Sequence, residues 1–309
     1  MPEVVFHTRA EDQPRIGSGH LQRSVRLARY LQEHGFECSM LVKRTALADR
    51  LLADEALPVA YWDEYDYREL AHTDIVVVDD YRPSERLLRR IAANHPRHAV
   101  VGFDVTRLFD YYDETINPIT PHGRAGHAGL ALSLHQVGPR VDPRVSPGVG
   151  RVFLSFGNYD HRDLVRRSVA IVDECFEGVE VTVFPDTEVA LRNNSLVRGL
   201  GFREALLGSE VAIVSGGLTV FDAVYAGVPS IVWCQYRHQI HNASLFGDCV
   251  INAGLTNSPG KIAGHLKTLA TSQECRQRMR DCCFDKLDDR GYERVGSIMS
   301  SVATGGAGH

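Results

Sequence analysis

The sequence predicts an α/β protein made of two doubly wound halves, each a parallel sheet covered by helices on both faces. Three observations carry this. Short apolar runs rich in β-branched residues alternate with helix-period segments along almost the whole chain. Residues 138–150, GPRVDPRVSPGVG, hold three prolines and three glycines without periodicity, and this linker separates two alternating sets of similar size and plan. The second set contains a strand–glycine turn–helix–strand unit over residues 210–242, EVAIVSGGLTVFDAVYAGVPSIVWCQYRHQIHN.

In the first set, a strand at 4–8 leads through a polar loop, 9–16, to Gly17-Ser18-Gly19-His20 and a helix at 21–34. Leu21, Val25, Ala28 and Leu31 keep helical spacing, with arginines expected on the other face, and Gly35 stops the helix. Strands follow at 36–42, near 58–62 and at 75–78, the last ending in Asp79-Asp80-Tyr81, with a helix near 45–53 between the first two. Pro83 is expected in the first turn of a helix running to about residue 94, where no N–H is needed, and a strand at 99–103 closes on Asp104.

The second set reads as strand 151–156, helix 163–175, strands 179–184 and 196–200, and a short helix 203–207. Strand 210–214, the turn Ser215-Gly216-Gly217, helix 218–226, Gly227 and strand 230–233 come next. A helix starting near 240, a strand near 249–252 and helices from 259 to 287 complete it. The expected domains are 1–140 and 151–290, followed by a C-terminal segment 291–309 whose small, polar end (303–309) is expected to be disordered.

Bulk properties exclude several classes. A chain of 309 residues with 44% apolar and 24% charged side chains is ordinary for a globular protein of two domains. A net charge of −5 and the lack of a basic run argue against a nucleic-acid partner. No window nears the roughly 18 apolar residues of a membrane span, and the N-terminus runs straight into a strand without a secretory pattern, so a cytoplasmic protein is expected. Seven scattered cysteines with no C-x-x-C are expected to be reduced thiols.

The chemistry concentrates in loops that follow strands. Gly216 and Gly217, lacking Cβ, let a ligand approach the backbone, and the helix starting at Leu218 turns its free N–H groups and dipole toward an anion. Thr219 adds a hydroxyl. Asp222, one turn further on, suits a diol such as a ribose, so the layout matches a nucleoside diphosphate; the alternatives are an ordinary α/β turn and a solvated helix carboxylate. His20 meets a helix N-terminus, where the dipole disfavours an imidazolium, so it reads as a neutral general base or as a packing histidine. Asp79 and Tyr81 could orient a sugar or water, or simply begin a turn. His238, Gln239 and Asn242 could donate to phosphate or sugar hydroxyls, or merely open a helix. A dinucleotide fingerprint is a poor match: Gln22 stands at the third glycine position, and the second strand ends in Lys43-Arg44 instead of an acid. The chain has no P-loop and no D-x-D, so a metal-independent reaction without a cofactor is expected.

Taken together, GSGHLQRSVRLARYLQEHGFE, VVVDDY, LSFGNYD, SGGLTVFDAVYAGVPSIVW and HQIHNA, in this order, resemble the PseG/SpsG family of UDP-sugar hydrolases. That family serves pseudaminic- and legionaminic-type acid biosynthesis in bacteria and is related to the MurG glycosyltransferases. The resemblance runs from about residue 4 to 295, including a late GYERV. It implies a GT-B fold, two Rossmann-like doubly wound domains facing a cleft, with the sugar or acceptor side first and the nucleotide side second. It also implies His20 as general base, Asp79 and Tyr81 as the sugar-side pair, and Gly216, Gly217, Thr219 and Asp222 as the nucleotide loop with its ribose acid. Gly17, Gly19, Gly157 and Ser215 fall in the matching loops. The chain departs from the family at Asn158-Tyr159, where a second glycine is usual, at His238, and in VDPRVSP before the second domain.

The expectation is therefore an enzyme that breaks the anomeric C–O bond of a UDP-sugar, a hydrolase acting on an amino- or deoxy-sugar. An inverting glycosyltransferase with a small-molecule acceptor is the alternative, and a non-catalytic nucleotide-sugar-binding protein the third reading. Water and an acceptor hydroxyl would use the same base, so residue types leave the nucleophile open.

Overall fold

A computed structural model of the protein describes residues 1–11, 17–80, 83–95, 99–103, 105, 107–116, 138 and 145–304. Tyr81, Asp104, residues 139–144 of the linker and the end of the tail lie outside the described residues. The chain divides into two compact units, Met1–Leu134 with Arg290–His309, and His135–Asp289.

The first unit contains β1 (Glu3–Thr8), α1 (Gly19–Glu33), β2 (Glu37–Val42), α2 (Ala46–Leu52), β3 (Val59–Tyr61), β4 (Ile75–Asp79), α3 (Glu85–Asn94), β5 (Ala99–Phe103) and β6 (Glu114–Ile116). The strands form one parallel sheet in the order β3-β2-β1-β4-β5-β6. The central strands are buried along both faces, as Ile75 to Val78 show, which is why they read as unbroken apolar runs. β6 was not foreseen, being a three-residue edge strand too short to have a pattern. Pro83 stands before α3 instead of inside it: Ser84 is the N-cap, its Oγ accepting from the Leu87 N–H at 3.2 Å.

The second unit runs β7 (Arg151–Ser155), α4 (Leu164–Cys175), β8 (Glu180–Val183), β9 (Ser195–Val197), α5 (Phe202–Leu207), β10 (Val211–Val214), α6 (Leu218–Ala226), β11 (Ser230–Trp233), α7 (Arg237–Ser244), β12 (Val250–Gly254), α8 (Pro259–Thr271) and α9 (Gln273–Lys286). Its sheet is again parallel, ordered β12-β11-β10-β7-β8-β9. The helix α6 is buried from Thr219 to Ala226 and is thus a core helix. Gly227 ends it at φ +68°, and a side chain there would collide with the Phe284 ring of α9.

Residues 291–303, set apart in the sequence reading as part of a C-terminal segment, form α10 (Gly291–Ala303), which belongs to the first unit. Val295 and Met299, four apart on one helix face, enter the core beneath α1, and Gly296 makes room for the Tyr30 ring.

The expectation of seven reduced thiols is corrected. Cys249 and Cys282 form a disulfide with Cα atoms 5.1 Å apart. The two lie 33 residues apart in sequence, and only the packing of α9 against the turn before β12 brings them together. Cys283, next to Cys282, points elsewhere and donates its thiol to the Cys249 carbonyl at 3.4 Å.

Candidate active site

In each sheet the strand order reverses direction at one point, between β1 and β4 in the first unit and between β7 and β10 in the second. Loops leaving the carboxyl ends of such a pair diverge and open a crevice, the usual ligand position in doubly wound sheets. The described residues among those singled out in the sequence gather at these two edges; Tyr81 lies outside the described residues.

In the first unit, Thr8 pairs with Asp79 in register, so Arg9 and Asp80 leave the sheet side by side. Gly17 holds φ +60° with open space around it, a left-handed turn that glycine adopts without strain before α1 begins. The helix starts at Gly19 and places His20 in its first turn, where the His20 Nδ1 lies 2.7 Å from the Asp79 Oδ1. So short an approach to a carboxylate, which only accepts, puts a proton on Nδ1.

Asp79 is 1% exposed, and its oxygens are fully engaged. Arg23 donates from Nε to Oδ2 at 2.9 Å and from Nη2 to Oδ1 at 2.6 Å, and the Ser24 hydroxyl donates to Oδ2 at 3.2 Å. Burial alone would push this carboxyl up, but the Arg23 and His20 charges and their hydrogen bonds outweigh it and hold it far below the usual carboxylate range. Asp79 is therefore saturated by protein groups. Two partners were not foreseen. Arg23, expected on the solvated face of α1, is 3% exposed and lies over the Phe103 ring. The signal was available: Arg23 and Ser24 sit three and four positions after His20, on the same helix face.

Asp80 behaves differently. Burial raises it to about 6, with Arg9 pulling back and Asp79 adding to the rise. The Arg9 Nε lies 2.5 Å from the Asp80 Oδ1, and Glu11 receives Lys43 at 2.9 Å, so the edge carries an extended ionic cluster.

In the second unit, the Ser155 carbonyl accepts from the Ser215 N–H at 3.0 Å, continuing the β7–β10 ladder into the glycine turn. Gly217 caps α6, and Leu218 is its first residue. The two glycines serve different purposes. A Cβ on Gly216 would overlap the carbonyl of Gln239, so this glycine admits the α7 backbone, whereas a Cβ on Gly217 would meet nothing closer than the Ser215 hydroxyl at 3.7 Å. Of the two glycines, Gly217 is the one whose side-chain position is not filled by neighbouring backbone. Gly157, after β7, is left-handed at φ +77° with open space around it.

Asp222 is 2% exposed, so it is not a solvated helix residue. Thr219 lies one turn before it, at the N-terminal end of α6. Gln239 and Asn242 are tied into the protein. The Gln239 Oε1 accepts from the Gln235 N–H at 2.7 Å, and the Asn242 amide donates to the Gly216 carbonyl at 2.8 Å. Both hold α7 against the glycine turn, with the Gln239 amide nitrogen beside Gly217. His238 is exposed in the first turn of α7.

Comparison with solved structures fits this architecture. MurG of Acinetobacter baumannii superimposes over 97% of this chain and 100% of its own, with a TM-score of 0.66 at 13% identity. A putative UDP-N-acetylglucosamine 2-epimerase from Listeria monocytogenes gives 0.65 at 13% identity over 97% of this chain and 96% of its own. The spinosyn rhamnosyltransferase SpnG complexed with thymidine diphosphate gives 0.62 at 15% identity, covering 97% of this chain and 100% of its own. The fold is GT-B. No protein-family model and no curated protein sequence matches the chain. Among the described residues, no helix is long and apolar enough to cross a membrane.

Proposed function

We propose that this GT-B protein transfers a glycosyl group from a nucleoside-diphosphate sugar to a small-molecule hydroxyl, with His20 as general base. The observation that carries this reading is the His20–Asp79–Arg23 relay at the switch point of the first sheet. Asp79 fixes the ring through Nδ1, which leaves Nε2 to take the proton of a hydroxyl as its oxygen attacks the anomeric carbon. Arg23 compensates the Asp79 charge, so the buried carboxylate stays ionised and orients the imidazole.

The bond to the leaving phosphate breaks with its electron pair passing to the diphosphate. The N-terminus of α6, opened by Gly217, supplies backbone N–H groups and dipole for that charge. Asp222, one turn on, receives the ribose hydroxyls. This division of labour requires no metal, so turnover in excess EDTA belongs to the proposal. The glycosyltransferases among the superimposable structures support transfer over hydrolysis.

Hydrolysis of the same donor is the second reading, supported by the sequence motifs around His20 and Asp79 that resemble the UDP-sugar hydrolases. One experiment separates the two. The purified protein is incubated with UDP-, GDP- and dTDP-sugars, with and without a panel of hydroxylated small molecules, while nucleotide and sugar products are followed by mass spectrometry. Nucleotide release that requires an added hydroxyl compound establishes transfer. Multiple turnovers to free sugar in buffer alone establish hydrolysis, and release under neither condition rejects both.

A further inference from the structure

Four charged side chains form a row across the carboxyl edge of the first sheet. Val42, Thr8 and Asp79 share one register, so Lys43, Arg9 and Asp80 leave β2, β1 and β4 side by side. With Glu11 between the two cations, charge alternates along the row. Lys43 donates to the Glu11 Oε1 at 2.9 Å, Arg9 donates from Nη1 to the same oxygen at 3.4 Å, and the Arg9 Nε lies 2.5 Å from the Asp80 Oδ1. Ion pairs in open solvent hold little, but Glu11 and Asp80 are only 5% and 6% exposed. Carboxylates so deeply placed are held where their counter-ions are.

Glu11 also holds the chain that leads to His20. Its N–H donates to the Gly17 carbonyl at 3.0 Å, so positions 11 and 17 meet at a neck. Ala10, next to it, is pinned from another side, its carbonyl accepting at 2.7 Å from the hydroxyl of Thr45, the N-cap of α2. Gly17 then turns left-handed at φ +60°, Ser18 caps α1, and His20 follows in its first turn. The backbone of Glu11 thus fixes the start of α1, while its side chain fixes Glu11 to the sheet edge. His20 is held twice, by Asp79 at its ring and by this neck through the chain.

We propose that Glu11 is a positioning residue for His20, fastening the neck of the loop before α1 to the charge row at the sheet edge. The inference rests on the reading of His20 as general base. Proton transfer depends on hydrogen-bond distance, so a base that drifts by a fraction of an ångström loses rate while the nucleotide site in the other unit is untouched. Glutamine at position 11 keeps the shape, an acceptor oxygen and the backbone bond to Gly17, and loses the charge-assisted part of both side-chain bonds. Arg9 keeps Asp80, and Lys43, whose side chain is 41% exposed, returns to water. The change therefore loosens the neck without leaving a buried cation unpaired.

Hydrogen exchange and kinetics on the full chain test this with Glu11→Gln, Lys43→Gln and Lys43→Arg. In Glu11→Gln, amides of residues 17–24 should exchange about tenfold faster than in wild type, with α6 in the second unit unchanged. For whichever UDP-, GDP- or dTDP-sugar the wild type turns over, kcat should fall about tenfold, with KM within about twofold. Counting kcat per site titrated with the matching nucleoside diphosphate removes any unfolded fraction. Lys43→Gln should move exchange and kcat the same way by less, since Arg9 still holds Glu11, and Lys43→Arg should restore both. Unchanged exchange at residues 17–24, or faster exchange with wild-type kcat, overturns the proposal. If Glu11→Gln does not fold, the Lys43 variants decide, and equal behaviour of glutamine and arginine there overturns it. A wild type that turns over no nucleotide sugar would instead overturn the general-base reading, and the role of Glu11 with it.

Discussion

Arg23 grips both oxygens of Asp79, at 2.9 and 2.6 Å, while His20, one turn earlier on α1, shares the Oδ1 at 2.7 Å. Carboxylate and guanidinium are each almost wholly buried, so their charges compensate each other, and of the trio the imidazole is the group proposed to exchange a proton with substrate. Two predictions test the two halves of that statement.

His20→Asn keeps a donor for Asp79 but removes the basic nitrogen. Turnover should fall about 100-fold or more, with nucleotide affinity changed less than about twofold. Single-turnover kinetics beside a nucleotide titration measure both. A matching loss in each would make His20 a packing residue and reject the base assignment.

Arg23→Ala leaves a buried carboxylate without its counter-ion and should cost about 3–5 kcal/mol in urea unfolding. Arg23→Lys retains the charge but not the two-point fork and should fall between wild type and alanine. An alanine variant within about 1 kcal/mol of wild type would show that the pair does not hold Asp79.

The neighbouring carboxylate sets a pH dependence of the opposite kind. Burial raises Asp80 to about 6, while an unfolded aspartate titrates near ~3.9. Between those values the folded chain keeps a proton that the unfolded chain has lost, so the Asp80 contribution to stability falls as pH rises from about 4 to about 6 and is level above. Asp80→Asn removes the titration. Its stability relative to wild type should therefore grow by on the order of 3 kcal/mol between pH 4 and pH 7. Parallel unfolding free energies for the two proteins across that range would contradict the burial of Asp80.

The sequence revealed most of the fold because its signals were local. Strands buried on both faces read as apolar runs, and Gly35 and Gly227 mark helix ends by themselves. What stayed hidden depends on distant partners. Arg23 looks like any helix-surface arginine until the β1–β4 register brings Asp79 to it across 56 residues. Cys249 meets Cys282 through the packing of α9, and the apolar face of α10, from Tyr292 to Ala303, shows no partner until it meets the first unit's core. The site was legible as positions but not as roles. His20 and Asp79 were both marked, yet their direct bond and the saturation of Asp79 are facts of tertiary geometry. Gln239 and Asn242 were marked as candidate ligand donors or as ordinary helix-entry residues, and the structure shows them holding α7 to the glycine turn.

The two glycines of that turn allow a test in which stability and binding part company. Gly216 faces the Gln239 backbone, which cannot swing aside as a flexible side chain would, so Gly216→Ala should displace α7 and destabilise the protein by about 1–3 kcal/mol. Gly217 is at φ −88° and ψ −147°, off the favoured β region, while its nearest neighbours would be at ordinary contact distance, 3.7 and 3.9 Å. Gly217→Ala should therefore cost on the order of 1 kcal/mol in backbone strain and leave the fold intact. Yet its methyl group would occupy the approach to the first N–H groups of α6, where the diphosphate is proposed to sit. UDP and dTDP affinity should then fall about tenfold or more, with uridine and thymidine little affected because they carry no phosphate. Thermal unfolding and calorimetry on the two variants measure both quantities. A Gly217→Ala protein that binds the diphosphates as tightly as wild type would remove the anion from α6, and with it the leaving-group half of the mechanism.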